Sequence, residues 1–114
     1  MRMSDCIFCK IIAGEIPSDK IYEDDEILMF HDINPVAPVH IMCIPKIHMD
    51  SLNDVNQDNI GYVSRIIGKI PEIAKSFGVE KCYRVVTNIG EDGGQSIKHL
   101  HFHIIGGRKL GYLG

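Results

Sequence analysis

Three histidines alternate with apolar residues near the end of this 114-residue chain, in the segment His99-Leu100-His101-Phe102-His103. Successive side chains of a β-strand point to opposite faces, so a strand here places the three imidazoles on one face and the apolar side chains on the other. A helix would spread the imidazoles around its axis, and the alternation therefore favours a half-buried strand. Such a cluster suits either metal binding or nucleophilic and acid–base chemistry, and the pattern alone leaves both open.

His101, in the middle of this cluster, has the side chain needed for nucleophilic attack on phosphorus. An imidazole with a pKa of about 6.5 is largely neutral at pH 7, and neighbouring imidazoles disfavour each other's protonation. A neutral imidazole can form a covalent intermediate and then leave again, which divides one displacement into two steps. The second ring nitrogen needs an orienting acceptor, for which a main-chain carbonyl in the same strand is suitable.

A second candidate constellation is the Cys6-x-x-Cys9 pair, whose spacing is typical of metal-binding cysteines. The alternative is a pair of buried free thiols in a short helix. The N-terminus shows no apolar leader, so the four cysteines are expected to be reduced thiols or metal ligands in a cytoplasmic protein. Cys43 and Cys82 fall in predicted strands and are expected to be small core residues.

The composition predicts one packed domain over residues 1–114. Hydrophobic residues make up 45% of the chain, which favours a folded globule over disorder. A net charge of −3 without a basic stripe argues against a nucleic-acid binder. No apolar run approaches the roughly 20 residues that span a bilayer, so no membrane partner is expected.

Hydrophobic periodicity predicts an α+β fold in which the strands come mostly as consecutive antiparallel runs. One long helix is expected from Ile60 to Phe77, capped by Asn53 or Asn56 and closed by Gly78, with a kink at Pro71. The other predicted elements are a short helix over 6–13 and strands over 20–23, 27–33, 40–44, 81–88 and 99–105.

The segment 99–105, His-Leu-His-Phe-His-Ile-Ile, resembles the signature of the histidine triad family. The flanking segments 93–96 (Gly-Gly-Gln-Ser) and 106–108 (Gly-Gly-Arg) are similar to its Hint-type branch, and the likeness extends from Ile7 to Tyr112. It implies a five-stranded antiparallel sheet with one long helix and a short N-terminal helix, dimerised into a continuous sheet. It also implies cleavage of nucleoside 5′-phosphoramidates, or related purine nucleoside monophosphate conjugates, through a covalent nucleotidyl-histidine.

The same resemblance assigns roles to individual residues. It implies a catalytic set of His101 as nucleophile with His103, His40 and Ser96. The nucleotide-binding positions that it implies are Phe8, Ile11, Ile16, Phe30, His31, Asp32, Ile33, Asn88, Gly94, Gln95, Ser96, Ile97, His101 and His103. Bacterial members with the cysteine pair resemble this chain, and they imply a closed structural zinc site of Cys6, Cys9, His48 and His99, with no metal required for catalysis.

Simpler structural roles compete with several of these assignments. Asp32 before Asn34-Pro35 is a natural turn-former, and His40 after Pro38 could be an ordinary turn histidine. Core packing is the alternative for the apolar positions and is equally suitable for Phe8 and Ile11, and the glycine-rich loop before the triad could be a plain connection. Two other functions also stand: a nucleotide-binding module with little turnover, and a metallohydrolase in which the histidines bind a catalytic metal. The tail departs from Hint-type proteins, because Tyr112 falls where they carry a tryptophan.

Overall fold

The computed structural model describes residues 5–113, which form one antiparallel sheet with a helix on each face. The helices and strands are α1 (Ile7–Ile12), β1 (Lys20–Glu23), β2 (Ile27–His31), β3 (Val39–Pro45), a 3₁₀ turn (Leu52–Asp54), α2 (Ile60–Ser76), β4 (Tyr83–Val86) and β5 (Phe102–Gly106). The five strands lie in the order β1-β2-β3-β5-β4, and every neighbouring pair is antiparallel. The predicted α+β class and its five-stranded sheet are confirmed.

The alternation of the triad segment separates the two faces of the sheet. Ile104 pairs with Ile41, and its face packs against α2, where Ile66 and Ile70 are buried. Leu100 and Phe102 belong to the same cluster. The opposite face carries a smaller cluster, in which α1 packs on the strands through Cys6, Phe8, Ile11, Leu28, Phe30, Met42 and Ile44. His103 pairs with Met42, so it lies on this second face.

The long helix α2 begins at Ile60 as predicted, includes Pro71 and ends at Ser76, one residue before the predicted end. Its N-cap is Asn59, whose side chain makes no capping hydrogen bond, so the prediction of Asn53 or Asn56 as the cap is wrong. Asn56 instead forms the turn before the helix, where its side chain accepts the amide N–H groups of Asp58 and Asn59. Gly78, at a φ of 74°, follows the helix as predicted, because glycine adopts the left-handed conformation without strain.

Three of the predicted strands are too long, and the predicted place of one cysteine is wrong. The triad strand begins at Phe102 rather than 99, because the amides of His99 and Leu100 donate to Ile97 and Met49 outside the sheet. β4 covers only Tyr83–Val86, and β2 ends at His31. Cys82 therefore precedes β4 and is exposed, whereas Cys43 is buried as predicted. Within residues 5–113, no helix is both long and apolar enough to cross a bilayer.

Candidate active site

Two histidines of the triad segment, His101 and His103, face a cavity of about 460 Å³ on the α1 side of the sheet, and His40 lies in the same wall. Its volume falls within the range usual for small-molecule sites. Residues from α1, the ends of β2 and β3, the loop over 88–97 and β5 contribute to its wall. The lining consists of Ile7, Phe8, Ile11, Phe30, Asp32, Ile33, Asn34, Val36, His40, Met42, Asn88, Gly94, Ser96, Ile97, His101 and His103.

The ring of His101 is held in one orientation and one tautomer. Its Nδ1 lies 2.7 Å from the carbonyl oxygen of His99, which can only accept, so Nδ1 carries the proton. The neutral ring therefore leaves the Nε2 lone pair free. The Phe8 ring and the imidazole form a T-shaped pair with an interplanar angle of 87° and centroids 5.2 Å apart, and His101 is 4% exposed. The arrangement predicted for a nucleophile, with a main-chain acceptor behind it, is present.

His40 and His103 form a directional hydrogen-bonded pair next to His101. The backbone N–H of Val36 donates to Nδ1 of His40 over 3.1 Å, so the proton of the neutral His40 ring lies on Nε2. This Nε2–H faces Nδ1 of His103 at 2.9 Å. His103 must then accept at Nδ1 and carry its own proton on Nε2. The pair consequently offers a bound group a hydrogen-bond donor, whereas His101 offers it a lone pair.

Burial keeps all three rings neutral. Loss of solvation lowers the pKa of His40 and of His101. It lowers the pKa of His103 to about 4, and repulsion from His101 and His40 adds to this effect. At pH 7 the rings can therefore act through lone pairs and neutral N–H donors.

Asp32 combines the turn-forming role with a place in the cavity. One carboxylate oxygen, Oδ1, accepts the amide N–H of Asn34 over 2.7 Å, which is the turn expected of an aspartate there. The other, Oδ2, lies 3.5 Å from Nε2 of His40 and is available to a ligand in the cavity. The two interpretations of Asp32 are therefore compatible.

The loop over 88–97 is braced from inside. Asn88 donates through its side-chain amide to the carbonyl of Gly93, and Gly94 adopts a φ of 90°, where a side chain would be strained. Gln95 spans the loop: its Oε1 accepts the amide of Gly90, and its Nε2 donates to the carbonyls of Asp50 and Ile97. This bracing holds Ser96 and the backbone of Gly94 against the cavity.

A second cluster brings together Cys6, Cys9, His48 and His99, as the resemblance implies. Their ligand atoms lie within 4.8 Å of one another. The sulfur–nitrogen distances are 3.4 Å for Cys6–His99, 3.6 Å for Cys9–His99 and 3.3 Å for Cys9–His48. Tetrahedral zinc with usual bond lengths separates a sulfur and a nitrogen ligand by about 3.6 Å.

The ring nitrogens that point away from the thiols are also occupied. Nε2 of His48 lies 2.8 Å from a carboxylate oxygen of Asp50, and Nε2 of His99 lies 3.0 Å from the carbonyl oxygen of Pro45. These acceptors place the protons on Nε2 and leave both Nδ1 lone pairs directed at the thiols, as zinc-binding histidines require. The donor set and its outer partners therefore fit a closed structural site, and His99, at 0% exposure, is fully enclosed.

A larger groove of about 760 Å³ lies elsewhere, between residues 78–84 and 107–110. No histidine lines it, so the chemistry predicted from the sequence belongs to the smaller cavity.

Comparison with known proteins agrees with the triad geometry. A histidine triad protein from Clostridium difficile has a structure that matches this one with a TM-score of 0.92 and 52% sequence identity, with 100% of each chain covered. The chain belongs to the histidine triad family. The profile described as "Scavenger mRNA decapping enzyme C-term binding" matches residues 5–111.

Two further histidine triad relatives have similar coverage. A HIT family hydrolase from Clostridium thermocellum matches with a TM-score of 0.93 and 40% identity over 98% of each chain. Protein HitA of Neisseria gonorrhoeae is 46% identical over 104 residues, which are 91% of this chain and 97% of the relative.

Most of the catalytic and nucleotide-binding residues assigned from the histidine triad resemblance meet in the cavity, but three do not. His31 lies on the opposite face of the sheet, where its ring meets the edge of Phe77 with the centroids 5.3 Å apart. Ile16 packs against the apolar cluster that contains Phe8 and Ile11 and does not line the cavity, and Gln95 braces the loop. Phe30 lines the cavity, so strand alternation itself sends the adjacent His31 to the other side.

Sequence reasoning missed four residues of the cavity wall: Ile7, Asn34, Val36 and Met42. Met42 could have been found, because it lies two positions after His40 and so shares its face of β3. Val36 had no such signal, since its contribution is a backbone N–H in the connection between β2 and β3.

Proposed function

We propose that this protein is a histidine triad hydrolase that cleaves a purine nucleoside monophosphate from an amine or a related leaving group, through a nucleotide covalently attached to His101. The observation that carries the proposal is the 2.7 Å contact between Nδ1 of His101 and the carbonyl of His99, which leaves Nε2 as a lone pair in the cavity. The similar protein from Clostridium thermocellum is named a HIT family hydrolase, which supports hydrolysis as the reaction class.

The reaction proceeds in two displacements at phosphorus. In the first, the Nε2 lone pair of His101 forms a bond to phosphorus while the bond from phosphorus to the leaving nitrogen breaks. The departing nitrogen keeps the bonding electrons, takes up one proton and leaves as the free amine. In the second, a water oxygen bonds to phosphorus, the phosphorus–Nε2 bond breaks, and the water gives up one proton. The proton count closes over the cycle, and His101 returns to its starting state.

The residues around His101 bind and orient the phosphate. The Nε2–H of His103, fixed by the hydrogen bond from His40, is a donor for a phosphate oxygen or the leaving group. Ser96 and the backbone of Gly94 line the same cavity and can donate further hydrogen bonds. Donors that are held in place before the reaction stabilise developing negative charge without rearrangement.

The apolar wall and Asp32 suit the nucleoside half. Phe8, Ile11, Phe30 and Ile33 line the cavity, so they can enclose a purine base. Oδ2 of Asp32 is free of the turn that Oδ1 makes, and so it can accept from ribose hydroxyls.

The cysteine–histidine cluster is proposed to hold one structural zinc ion through Cys6, Cys9, His48 and His99. A bound zinc would fix α1 to the segments that carry the two histidines, and no step of the reaction passes through it. The predicted homodimer is likewise a proposal. It is supported by β4, which within residues 5–113 pairs only with β5 and presents Val85 at 40% exposure.

The deciding experiment is intact-mass spectrometry after brief mixing with adenosine 5′-phosphoramidate, quenched above neutral pH to preserve phosphohistidine. The expected result is a mass increase of one adenylyl group, lost in His101→Ala and retained in His31→Ala, whose ring lies on the other face. Turnover that needs a metal and leaves no adduct would favour a metallohydrolase. Binding of AMP without turnover would favour a nucleotide-binding module.

The metallohydrolase alternative has one observation in its favour. The possible ligand atoms of Asp32, His40 and His103 also lie within 4.8 Å of one another. The tautomers argue against a metal there. Because Nδ1 of His40 accepts from Val36, its Nε2 bears a proton and has no lone pair to give.

A further inference from the structure

Val36, in the connection between β2 and β3, is held at both of its backbone polar groups. Its N–H donates to Nδ1 of His40 over 3.1 Å. Its carbonyl oxygen accepts from the guanidinium of Arg108, with Nη2 at 2.9 Å and Nε at 3.3 Å. Arg108 lies 72 residues further along the chain, two positions after the end of β5 at Gly106.

The Val36 N–H decides how protons are placed in the site. As long as it points at Nδ1 of His40, the neutral ring must carry its proton on Nε2, and His103 must accept at Nδ1 and donate from Nε2. If the N–H turned away, His40 could carry its proton on Nδ1. The hydrogen bond between the two rings would then no longer have to run from His40 to His103. His103 could present a lone pair instead of an N–H donor to the phosphate.

Within residues 5–113, the hydrogen bonds of the Val36 backbone are those to His40 and Arg108. Pro35 and Pro38 have no N–H groups. The segment after β5 lies against it closely: a Cβ added to Gly107, which has a φ of 93°, would come within 2.9 Å of Pro38. The planar guanidinium of Arg108 donates to the Val36 carbonyl through two N–H groups, Nε and Nη2. Its Nη1 donates to the carbonyl of Lys109 at 2.9 Å.

We infer that Arg108 is a positioning residue for the His40–His103 pair, acting through the backbone of Val36 to keep His103 a hydrogen-bond donor toward the phosphate. The inference extends the proposed function, on which its catalytic consequence rests. The charged or titratable groups that face His40 are Asp32, with Oδ2 at 3.5 Å, and His103, so they are the other contributors to its protonation.

The test is a long-range ¹H–¹⁵N NMR experiment on the histidine rings, which reports the tautomer of each ring without any substrate. In the wild type, His40 is expected to show a bare Nδ1 and a protonated Nε2. In Arg108→Ala, we expect the share of His40 protonated at Nδ1 to rise about tenfold, the size of effect that one lost charged hydrogen bond produces. Arg108→Lys, which keeps one charged donor, should restore part of the wild-type pattern.

Arg84→Ala is the matched control, because Arg84 also donates to a backbone carbonyl of the C-terminal segment, that of Gly111 at 2.7 Å, and does not contact Val36. Its histidine spectrum should equal that of the wild type. An Arg108→Ala spectrum with unchanged His40 and His103 tautomers overturns the inference.

Activity provides a second and separable readout. With adenosine phosphoramidate, Arg108→Ala should lower kcat about tenfold with little change in the Kd for AMP, and its rate against pH should change in shape relative to Arg84→Ala. If the wild type shows no turnover but the tautomer shift occurs, the proposed function fails and the positioning role of Arg108 stands. If the wild type forms the adduct but the tautomers in Arg108→Ala do not change, the proposed function stands and the positioning role of Arg108 fails.

Discussion

The carbonyl oxygen of His99 lies 2.7 Å from Nδ1 of His101, while the side chain of the same His99 lies 3.4 Å from the thiol of Cys6. One residue therefore belongs to both clusters: its backbone orients the proposed nucleophile, and its ring completes the proposed zinc site. The ring is held further by the carbonyl of Pro45. The stability of the cysteine–histidine cluster consequently bears on the orientation of His101.

Replacement of the nucleophile should abolish turnover and preserve binding. His101→Ala removes the covalent route, so kcat should fall by several orders of magnitude. AMP should still bind, because the apolar wall and Asp32 are untouched. Steady-state kinetics and calorimetric titration measure the two effects, and a variant with a near wild-type rate would remove the central role of His101.

Zinc content and stability should depend on the cysteine pair. Protein purified without chelators is expected to carry about one zinc per chain, and Cys9→Ser should lose the metal and melt at a lower temperature. The loss of a ligand from a structural site removes the binding free energy that the folded state gains from zinc. Elemental analysis and thermal unfolding measure these changes.

Cys82→Ser is the matched control for the zinc prediction, since Cys82 is an exposed free thiol outside the cluster. It should keep both the zinc and the melting temperature of the wild type. A zinc-free wild type that melts no lower than a zinc-loaded one would leave Cys6 and Cys9 as buried thiols.

The alternation of the triad segment and the family resemblance together predicted the two clusters, but not the contacts that set their protons. Alternation placed Leu100, Phe102 and Ile104 in the core. The resemblance assigned His31 to the nucleotide site. Its neighbour Phe30 lines the cavity, so the alternation of side chains along β2 places His31 on the other face. A family motif identifies a residue by its position along the chain. The face of a strand on which its side chain lies depends instead on the alternation of side chains and on packing.

The contact of Arg108 with Val36 could not have been predicted from the sequence. The two residues are 72 positions apart, and the group recognised on Val36 is a main-chain carbonyl that every residue type has. The late start of β5 has a similar cause, because the amide of Leu100 finds its partner on Met49, outside the sheet. Hydrogen bonds to main-chain groups of this kind cannot be predicted from the types of the residues involved.

Asp32 should make the site prefer ribonucleotides to 2′-deoxynucleotides. A site built to pair a hydroxyl rejects the analogue that lacks it, because its own polar group is then left unpaired. Hydrogen bonds to a charged group contribute roughly 1.5–3 kcal/mol, which is about tenfold to a hundredfold in affinity. Calorimetric titration of AMP and 2′-deoxy-AMP measures the preference, and Asp32→Ala should lose most of it.

Asp32→Asn separates the ribose role from the turn. Its amide oxygen can still accept the N–H of Asn34, which the carboxylate accepts at 2.7 Å, but the charge is removed. The asparagine variant should therefore keep the melting temperature and lose part of the ribose preference. Equal affinity of the wild type for both nucleotides would leave Asp32 as a turn residue only.

His103 should make the protein sensitive to acid between about pH 6.5 and pH 4. Burial, with repulsion from His101 and His40, lowers the pKa of His103 in the folded state to about 4, against about 6.5 in an unfolded chain. Between these values the unfolded state binds more protons, so acidification favours unfolding. The contribution of His103 is complete above pH 6.5, declines as the pH falls, and loses nothing further below about pH 4.

His103→Gln tests this, because the amide cannot titrate and its oxygen can still accept the Nε2–H of His40. Urea denaturation at pH 7.5, 6, 5 and 4.5, with equal metal content in both proteins, gives the free energy of unfolding. The wild type should lose about 1–2 kcal/mol more than the variant over this range, a value reduced from the full pKa difference because the ring is only half-buried. Asp32, His40 and His101 face the position in both proteins, so their own titration largely cancels in the comparison. Parallel pH profiles for the two proteins would show that His103 titrates in the folded state as it does in the unfolded chain, and that the cavity does not keep its ring neutral.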